Sequence, residues 1–524
     1  MTGQSTPAWL AALQQPQAYS HPVDHIELIE THISWVLLTG EFAYKLKKSL
    51  DLGFLDFSSL EQRHHYCEEE LRINRRLAAP IYLAVEAVID TADGIRIADP
   101  QQVPGKIIEY AVKMRQFDPE QGFDHLLQRQ HLRLEYLDKL AILIGRFHQR
   151  LSPSPPDSDY GTAAAIRRPC EENFSQIRER TTQLANDSLL SALDEWTATQ
   201  LDELAPRFEQ RHRDGFIREC HGDLHLRNIA LWQDEVIAFD GIEFDPALRW
   251  IDTISEIAFL IMDLDAHDAG GLGWYFLNRY LEQTGDYAGL DLLRFYCVYR
   301  AMVRAKVAAI ELAQHANEES GDEHREELAH YLDQAMTYTR AAAPQLLITT
   351  GFSGSGKSTV TDKLLQHLGA VRLRSDVERR RMFGEAPADQ GIGSGKYSND
   401  ASDRLYAYLQ EQSRRLLHAG YTVIVDAAFL QQARRKPFAA LASECHVPFH
   451  TLALQAEPNE LRRRIRERQS AGRDASEADL AVLESQLQHH DPLDATERVK
   501  TIIIDTEKPF DAASLVKQLR HIPE

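Results

Sequence analysis

Cysteine is scarce in this 524-residue chain: the five (Cys67, Cys170, Cys220, Cys297 and Cys445) are odd in number and nowhere stand as C-x-x-C. That argues against a disulfide framework and a cysteine-ligated zinc site, and it fits a reducing cytoplasm. No run of 18 apolar residues occurs, and the opening MTGQSTPAWLAALQQPQ has no basic stretch ahead of an apolar core. A cytoplasmic protein with no membrane partner is therefore expected. Basic residues are outnumbered, 58 against 79 acidic, for a formal charge of −21. Such a chain is repelled by nucleic acid and anionic lipid, so no nucleic-acid partner is expected, and small phosphorylated ligands would need local arginine clusters. No internal repeat is visible. At roughly 150 residues per domain the length calls for two to four cores, and composition leaves the oligomeric state open.

What is present is concentrated in two stretches. Leu346–Val360, LLITTGFSGSGKSTV, reads as an apolar strand, a glycine-rich turn and a helix start, and it contains a complete Gly351-x4-Gly356-Lys357-Ser358. This is a P-loop. The backbone N–H groups of Gly351, Ser353, Gly354, Ser355, Gly356 and Thr359 are expected around the phosphates, Lys357 brings a positive charge to the same oxygens, and the Ser358 hydroxyl is placed to ligate Mg²⁺. The expected cofactors are ATP, with GTP as the alternative, and Mg²⁺.

The second stretch, FIRECHGDLHLRNIALWQDEVIAFDGIEFDPALRWID, holds His221-Gly222-Asp223, then Asn228, then Asp240-Gly241 after an apolar strand. The spacing is that of a kinase catalytic loop, H-x-D-x-x-x-x-N. In that chemistry the first Asp accepts or orients the acceptor hydroxyl proton, the Asn reaches Mg²⁺, and the later Asp bridges metal and phosphates. Turn formation and strand capping would explain any one of the three residues but explain all three poorly.

On HGDLHLRN, residues from about 25 to 340 resemble the aminoglycoside phosphotransferase family, two-lobed relatives of protein kinases. The resemblance implies Asp223 as catalytic base, Asn228 and Asp240 as metal ligands and Glu243 as a possible further one. It implies Lys45 in FAYKLKK as the strand lysine on the phosphates, with Lys47 on the same strand face as the alternative, and Glu70 as its helix partner rather than Glu69. Glu109 and Ala111, in Glu109-Tyr110-Ala111-Val112, fall where the family has its adenine-contacting hinge. The pattern departs from protein kinases at Glu30-Thr31-His32, where the turn over the phosphates has no glycine. His148 reads as a core histidine on an amphipathic helix.

Past the P-loop, AVRLRSDVERRRMFG gives a strand ending at Ser375-Asp376 and an arginine-rich helix start. Asp376 is a candidate base, with Arg374, Arg379 or Arg380 holding an anion, or else a helix N-cap. Tyr397 and Tyr406 fall on or near the next helix, Tyr406 more as a packing residue. GYTVIVDAAF ends in Asp426, a Walker B acid for Mg²⁺. Six arginines between Arg462 and Arg473 read either as a phosphate-clamping lid or as a solvated helix face paired with Glu460 and Glu467. Residues 345 to 524 resemble P-loop kinases of small molecules, a group including gluconate kinases, chloramphenicol phosphotransferase and zeta-toxin-like kinases. That resemblance implies Arg464, Arg468 and Arg473 as lid residues.

The joined arrangement resembles a bacterial family of bifunctional aminoglycoside-phosphotransferase-like and P-loop ATP-binding proteins. The expected chain is a loose segment 1–24, a kinase-like α+β domain 25–343 with lobes 25–114 and 115–343, and a doubly wound α/β P-loop domain 344–524 bounded by Pro344. The expected function is ATP- and Mg²⁺-dependent phosphoryl transfer in each half to a small-molecule hydroxyl. The alternatives are one active half regulated by an ATPase half, and a nucleotide-sensing protein with an inactive kinase-like half.

Overall fold

A computed structural model describes residues 7–51, 55–181, 187–314, 320–384, 398–471 and 479–521. The chain forms two compact units, residues 1–175 with 198–263, and residues 176–197 with 264–524.

The first unit carries a six-stranded antiparallel sheet built from β1 (Glu27–Glu30), β2 (Ser34–Leu38), β3 (Phe42–Lys47), β4 (Tyr82–Thr91), β5 (Gly94–Ala98) and β6 (Lys106–Arg115), in the order β1-β2-β3-β6-β4-β5. The helix Leu60–Ala78 begins at a reciprocal capping box between Ser59 and Gln62, with Glu61 early and Arg75 and Arg76 late to complement its dipole. Its apolar face, Cys67, Leu71 and Ala78, packs with Ile81, Tyr82 and Val112. Glu70 is drawn inside with that face and is fully buried. Burial of an acid is costly unless it is paired, so its partners mark a site.

The expectation of a loose segment 1–24 is corrected for residues 7–24. Ala8–Leu13 is a helix, and Leu10, Leu13, Ala18 and Tyr19 are buried in one cluster with Trp35, Leu37 and Tyr44. Burial of these apolar side chains is the favourable contribution that holds the segment against the sheet.

Two short ribbons hold the catalytic-loop motif. β7 (Ile217–Glu219) pairs with β10 (Trp250–Asp252), and β8 (Ile229–Trp232) pairs with β9 (Glu235–Ala238), all antiparallel. His221–Asn228 lies between β7 and β8, and Asp240–Glu243 lies just past β9.

The second unit contains a wholly parallel five-stranded sheet: β11 (Leu346–Thr350), β12 (Ala370–Arg374), β13 (Thr422–Asp426), β14 (Phe449–Gln455) and β15 (Thr501–Asp505), in the order β12-β13-β11-β14-β15. Every residue of β11, β12 and β13 is buried, as expected of parallel strands covered on both faces. Leu364 and Leu365 of the helix Lys357–Leu368 and Leu515 and Leu519 of the helix Ala512–His521 pack on Leu347, Ile424 and Leu452.

The helices Gly270–Thr284, Leu290–Gln314 and Ser320–Thr339 also belong to this unit, although in sequence they follow the kinase-like motifs. Gly271 shows how closely they approach: a Cβ there would sit 2.7 Å from the Gln366 carbonyl oxygen.

Candidate active sites

In the first unit the catalytic-loop residues are tied to one another by short hydrogen bonds. Asn228 Nδ2 donates to the Asp223 carboxylate at 2.9 Å and to its carbonyl at 3.0 Å. Phe239 N donates to Asn228 O at 2.9 Å and Ile242 N to His221 O at 3.0 Å, which brings the Asp240-Gly241 turn beside the loop. Gly241 N donates to Asn74 Oδ1 at 2.8 Å, anchoring the turn on the Leu60–Ala78 helix.

His221 is buried and its pKa is lowered, chiefly by that burial. A neutral ring with the proton on Nε2 satisfies both neighbours: Nε2–H donates to Phe239 O at 2.9 Å, and Nδ1 accepts from Asp223 N at 3.3 Å.

The lysines divide the work that sequence could not divide. Lys45 Nζ lies 2.9 Å from Glu70 and 2.5 Å from Asp240, and its side chain is 14% exposed. Lys47 Nζ, 1% exposed, pairs with Glu70 at 2.7 Å and with Glu243. Lys45 is thus the cation that reaches a proposed metal ligand, whereas Lys47 is sealed beneath it. Burial works against the Lys45 charge, but Asp240 and Glu70 outweigh it and keep the ammonium protonated. Burial likewise pushes the Glu70 carboxyl up, and the two ammonium groups overcome it, holding it down to about 2. Glu243 has less cationic company, and burial raises its pKa.

Glu69, by contrast, pairs with Arg72 at 2.8 Å and Arg249 at 3.4 Å. Asp240 takes a positive φ of 60°, a conformation uncommon outside glycine, and its side chain is 48% exposed. Asp223, Asn228 and Asp240 offer hard oxygen donors, the chemistry Mg²⁺ requires.

The placement of Glu109 and Ala111 at a hinge is corrected. β6 runs unbroken to Arg115, and Ala111 is paired with Leu46 on one side and Glu86 on the other. The Glu109 carboxylate is turned to Arg63 at 2.8 Å. Neither residue is at the strand end, where the chain leaves the sheet. The turn without glycine is closed by Thr31, whose N–H and hydroxyl both donate to Ser34 O at 2.9 and 3.1 Å.

Two residues here escaped the sequence reading. His225 Nε2 lies 3.2 Å from the Asp223 carboxylate. Glu256 accepts from His221 N at 2.6 Å and Gly222 N at 2.9 Å, holding the loop backbone, with His148 buried 3.9 Å from it. His225 stands inside the motif and could have been found; Glu256 carries no local signal.

In the second unit the P-loop curls as its glycines require. Gly354 and Gly356 have φ of 82°, and a Cβ on Gly351 would meet Ser355 Oγ at 2.6 Å. Lys357 Nζ donates to the Gly351 and Phe352 carbonyls at 3.0 and 2.9 Å. Ser358 Oγ donates to Asp426 Oδ2 at 3.0 Å, so the hydroxyl and the buried carboxylate that would hold Mg²⁺ already touch. This pair fits the metal: both donors are hard oxygens, and Mg²⁺ uses few protein ligands.

A cavity of about 330 Å³ opens over them, lined also by Ser353, Gly354, Gly356, Thr359, Arg374, Asp376, Arg379, Arg464 and Arg468. Asp376 is not an N-cap: the helix Ser375–Phe383 is capped at Arg374, and Asp376 lines the cavity from its first turn. Tyr406 also reaches the cavity while packing edge-on against Phe429.

The arginine run divides by helix face. Arg464 donates to Gly354 O at 3.3 Å and to Thr506 O at 2.9 Å, at the loop, and shares Glu460 with Arg463, at 2.7 and 2.6 Å, whereas Arg462 pairs with Glu484. Arg473 and Tyr397 lie outside the described residues. Gln486, missed in the sequence, lines the cavity and accepts from Ser353 N at 2.8 Å.

Among the described residues no helix is long and apolar enough to cross a membrane. Residues 346–493 match the family model described as AAA domain. Among solved structures, a gluconokinase from Sinorhizobium meliloti 1021 is similar at 19% identity, covering 34% of this chain and 90% of that one with a TM-score of 0.24. A choline kinase from Cryptosporidium parvum Iowa II is similar at 14%, covering 60% and 89%, with a TM-score of 0.37. Uncharacterized protein Rv2004c of Mycobacterium tuberculosis (strain ATCC 25618 / H37Rv) is 30% identical over 470 residues, 88% of this chain and 91% of that protein. The chain belongs to the family of that mycobacterial protein, and it joins in one polypeptide a unit with a six-stranded antiparallel sheet and the His221–Asn228 loop to a unit with a five-stranded parallel sheet and a P-loop.

Proposed function

We propose that the chain is an ATP- and Mg²⁺-dependent phosphotransferase with two sites, each moving a γ-phosphoryl group to a small-molecule hydroxyl. The observation that carries this reading is the contact between Ser358 Oγ and Asp426 in a cavity that also holds Lys357, Asp376 and four arginines. A nucleotide-binding module alone needs the first three; the carboxylate of Asp376 facing the same space supplies a base for an acceptor. Bound between Ser358 and Asp426, Mg²⁺ would offset charge on the β- and γ-phosphates. Lys357 and Arg464 would hold the phosphates, Arg468 would cover them, and Asp376 would take the acceptor proton.

In the first unit Asp223 would take that proton, oriented by Asn228 and His225, while Lys45 would bind the phosphates with Glu70 fixing its position. The glycine-free Thr31–Ser34 turn favours a second reading, in which this unit binds nucleotide without transferring phosphate.

The test is phosphorylation of a metabolite extract with γ-labelled ATP. Two sets of labelled products are expected from wild type, one missing in Lys357→Ala and the other missing in Asp240→Asn. Label transfer that survives Asp240→Asn unchanged in every product would leave the first unit as a binding module, and no labelled product from wild type would refute both sites.

A further inference from the structure

The helix Gly270–Thr284 covers the outer edge of β12, an end strand of the parallel sheet. Asn278 completes that edge as a neighbouring strand would: Nδ2 donates to Ala370 O at 2.9 Å, and Oδ1 accepts from Arg372 N at 2.7 Å. One helical turn later, on the same face, comes Glu282.

Its carboxylate accepts from Arg372 Nη2 at 2.6 Å, from Arg374 Nη1 at 3.3 Å and from Arg279 Nη1 at 3.0 Å. Burial pushes its pKa up, but Arg372, Arg374 and Arg279 overcome it and hold the group ionised, at about 2.

Two routes lead from this carboxylate to the proposed metal ligands. Arg372, wholly buried, donates to Thr361 Oγ1 at 2.8 Å, and that hydroxyl lies 3.1 Å from Ser358 O and 3.4 Å from Asp426 Oδ2. Arg374 lines the cavity with Nε 4.0 Å from the same Asp426 oxygen. Glu282 and Asp426 therefore compete for one guanidinium. A carboxylate neutralised by a guanidinium is a poorer ligand for a dication, so whatever holds Arg374 back leaves Asp426 more available.

We propose that Glu282 is a positioning residue of the P-loop site, drawing Arg374 away from Asp426 so that the Asp426 oxygens stay available to Mg²⁺. This rests on the reading of Ser358 and Asp426 as the Mg²⁺ ligands of a nucleotide site. It makes the Gly270–Thr284 helix part of that site, although the P-loop motif begins far downstream.

The test uses the full chain and calorimetry with ATP, the P-loop component being the binding lost in Lys357→Ala. In Glu282→Gln Arg372 keeps Asp362 at 2.9 Å, whereas Arg374 loses the carboxylate that draws it from Asp426 and turns more to Asp426 and to phosphate. The Mg²⁺ concentration for half-saturation should rise about tenfold, a typical coupling through one charged group, while ATP binding in EDTA holds or tightens by up to about threefold. Asn278→Ala removes the edge hydrogen bonds without touching charge. It should lower the melting temperature and leave the Mg²⁺ requirement as it was.

An unchanged Mg²⁺ requirement in Glu282→Gln, or an equal rise in Asn278→Ala, overturns the proposal and leaves packing as the role of this helix. If Glu282→Gln does not fold, Arg374→Gln reads the same competition with opposite sign: the Mg²⁺ requirement should fall, and an unchanged or higher one overturns the proposal. If Lys357→Ala loses no bound nucleotide, the underlying site reading fails instead, whatever Glu282→Gln does.

Discussion

Replacing Glu70 by Gln keeps the shape of the side chain and removes one charge from a buried cluster. Lys45 at 2.9 Å and Lys47 at 2.7 Å would lose their shared carboxylate, leaving Asp240 and Glu243 to hold one each. The carboxyl is held down to about 2 from an ordinary 4.5, and at about 1.36 kcal/mol per unit of pKa this makes roughly 3 kcal/mol of stability. That agrees with the ~3–5 kcal/mol cost of removing one partner from a buried pair. For a unit of this size each kcal/mol is about 2–4 °C, so its melting transition in Glu70→Gln should fall by roughly 6–12 °C.

The pH dependence gives the sign. A depressed carboxyl stabilises the fold fully above its unfolded pKa near 4.5, and the contribution fades as pH drops from there towards 2. The gap between wild type and Glu70→Gln in urea unfolding should therefore be widest near pH 7 and shrink to less than half by about pH 3. A melting change under about 2 °C at neutral pH, or a gap that does not narrow in acid, would show that Glu70 does not hold the two lysines as described.

Asp223→Ala, measured in a Lys357→Ala background so that only the first site turns over, should lower phosphoryl transfer by about 10² or more while ATP affinity stays within about twofold, as expected for loss of a positioned base. A fragment of residues 345–524 should be less soluble and melt lower than one beginning at 264, because the shorter piece uncovers the β12 edge and leaves the buried Arg372 without Glu282; equal melts for the two would contradict the packing account.

Much of the two sites was legible because their chemistry depends on local spacing. The P-loop needs its glycines in one turn, and HGDLHLRN needs Asp and Asn five residues apart, so both could be read without knowing the fold. Lys45 and Lys47 could not be separated, since residues two apart share a strand face and only burial distinguishes them. Glu109 and Ala111 were set at a hinge by resemblance alone, and a resemblance without an alignment does not fix a position to within a few residues; both stand inside β6, which continues to Arg115. Glu256, Gln486 and Glu282 act across 34, 133 and 90 residues, where no local pattern points to a partner. The amphipathic helices after residue 264 announce that they must bury a face, but their periodicity does not say which sheet receives it.

The central claim is two nucleotide sites in one chain, each with its own phosphate and metal groups, and calorimetry with Mg·ATP tests it directly. Wild type should bind two nucleotides per chain, Lys357→Ala and Asp240→Asn should each bind one, and the double variant none. A single nucleotide in wild type, or two retained in either variant, would contradict the account.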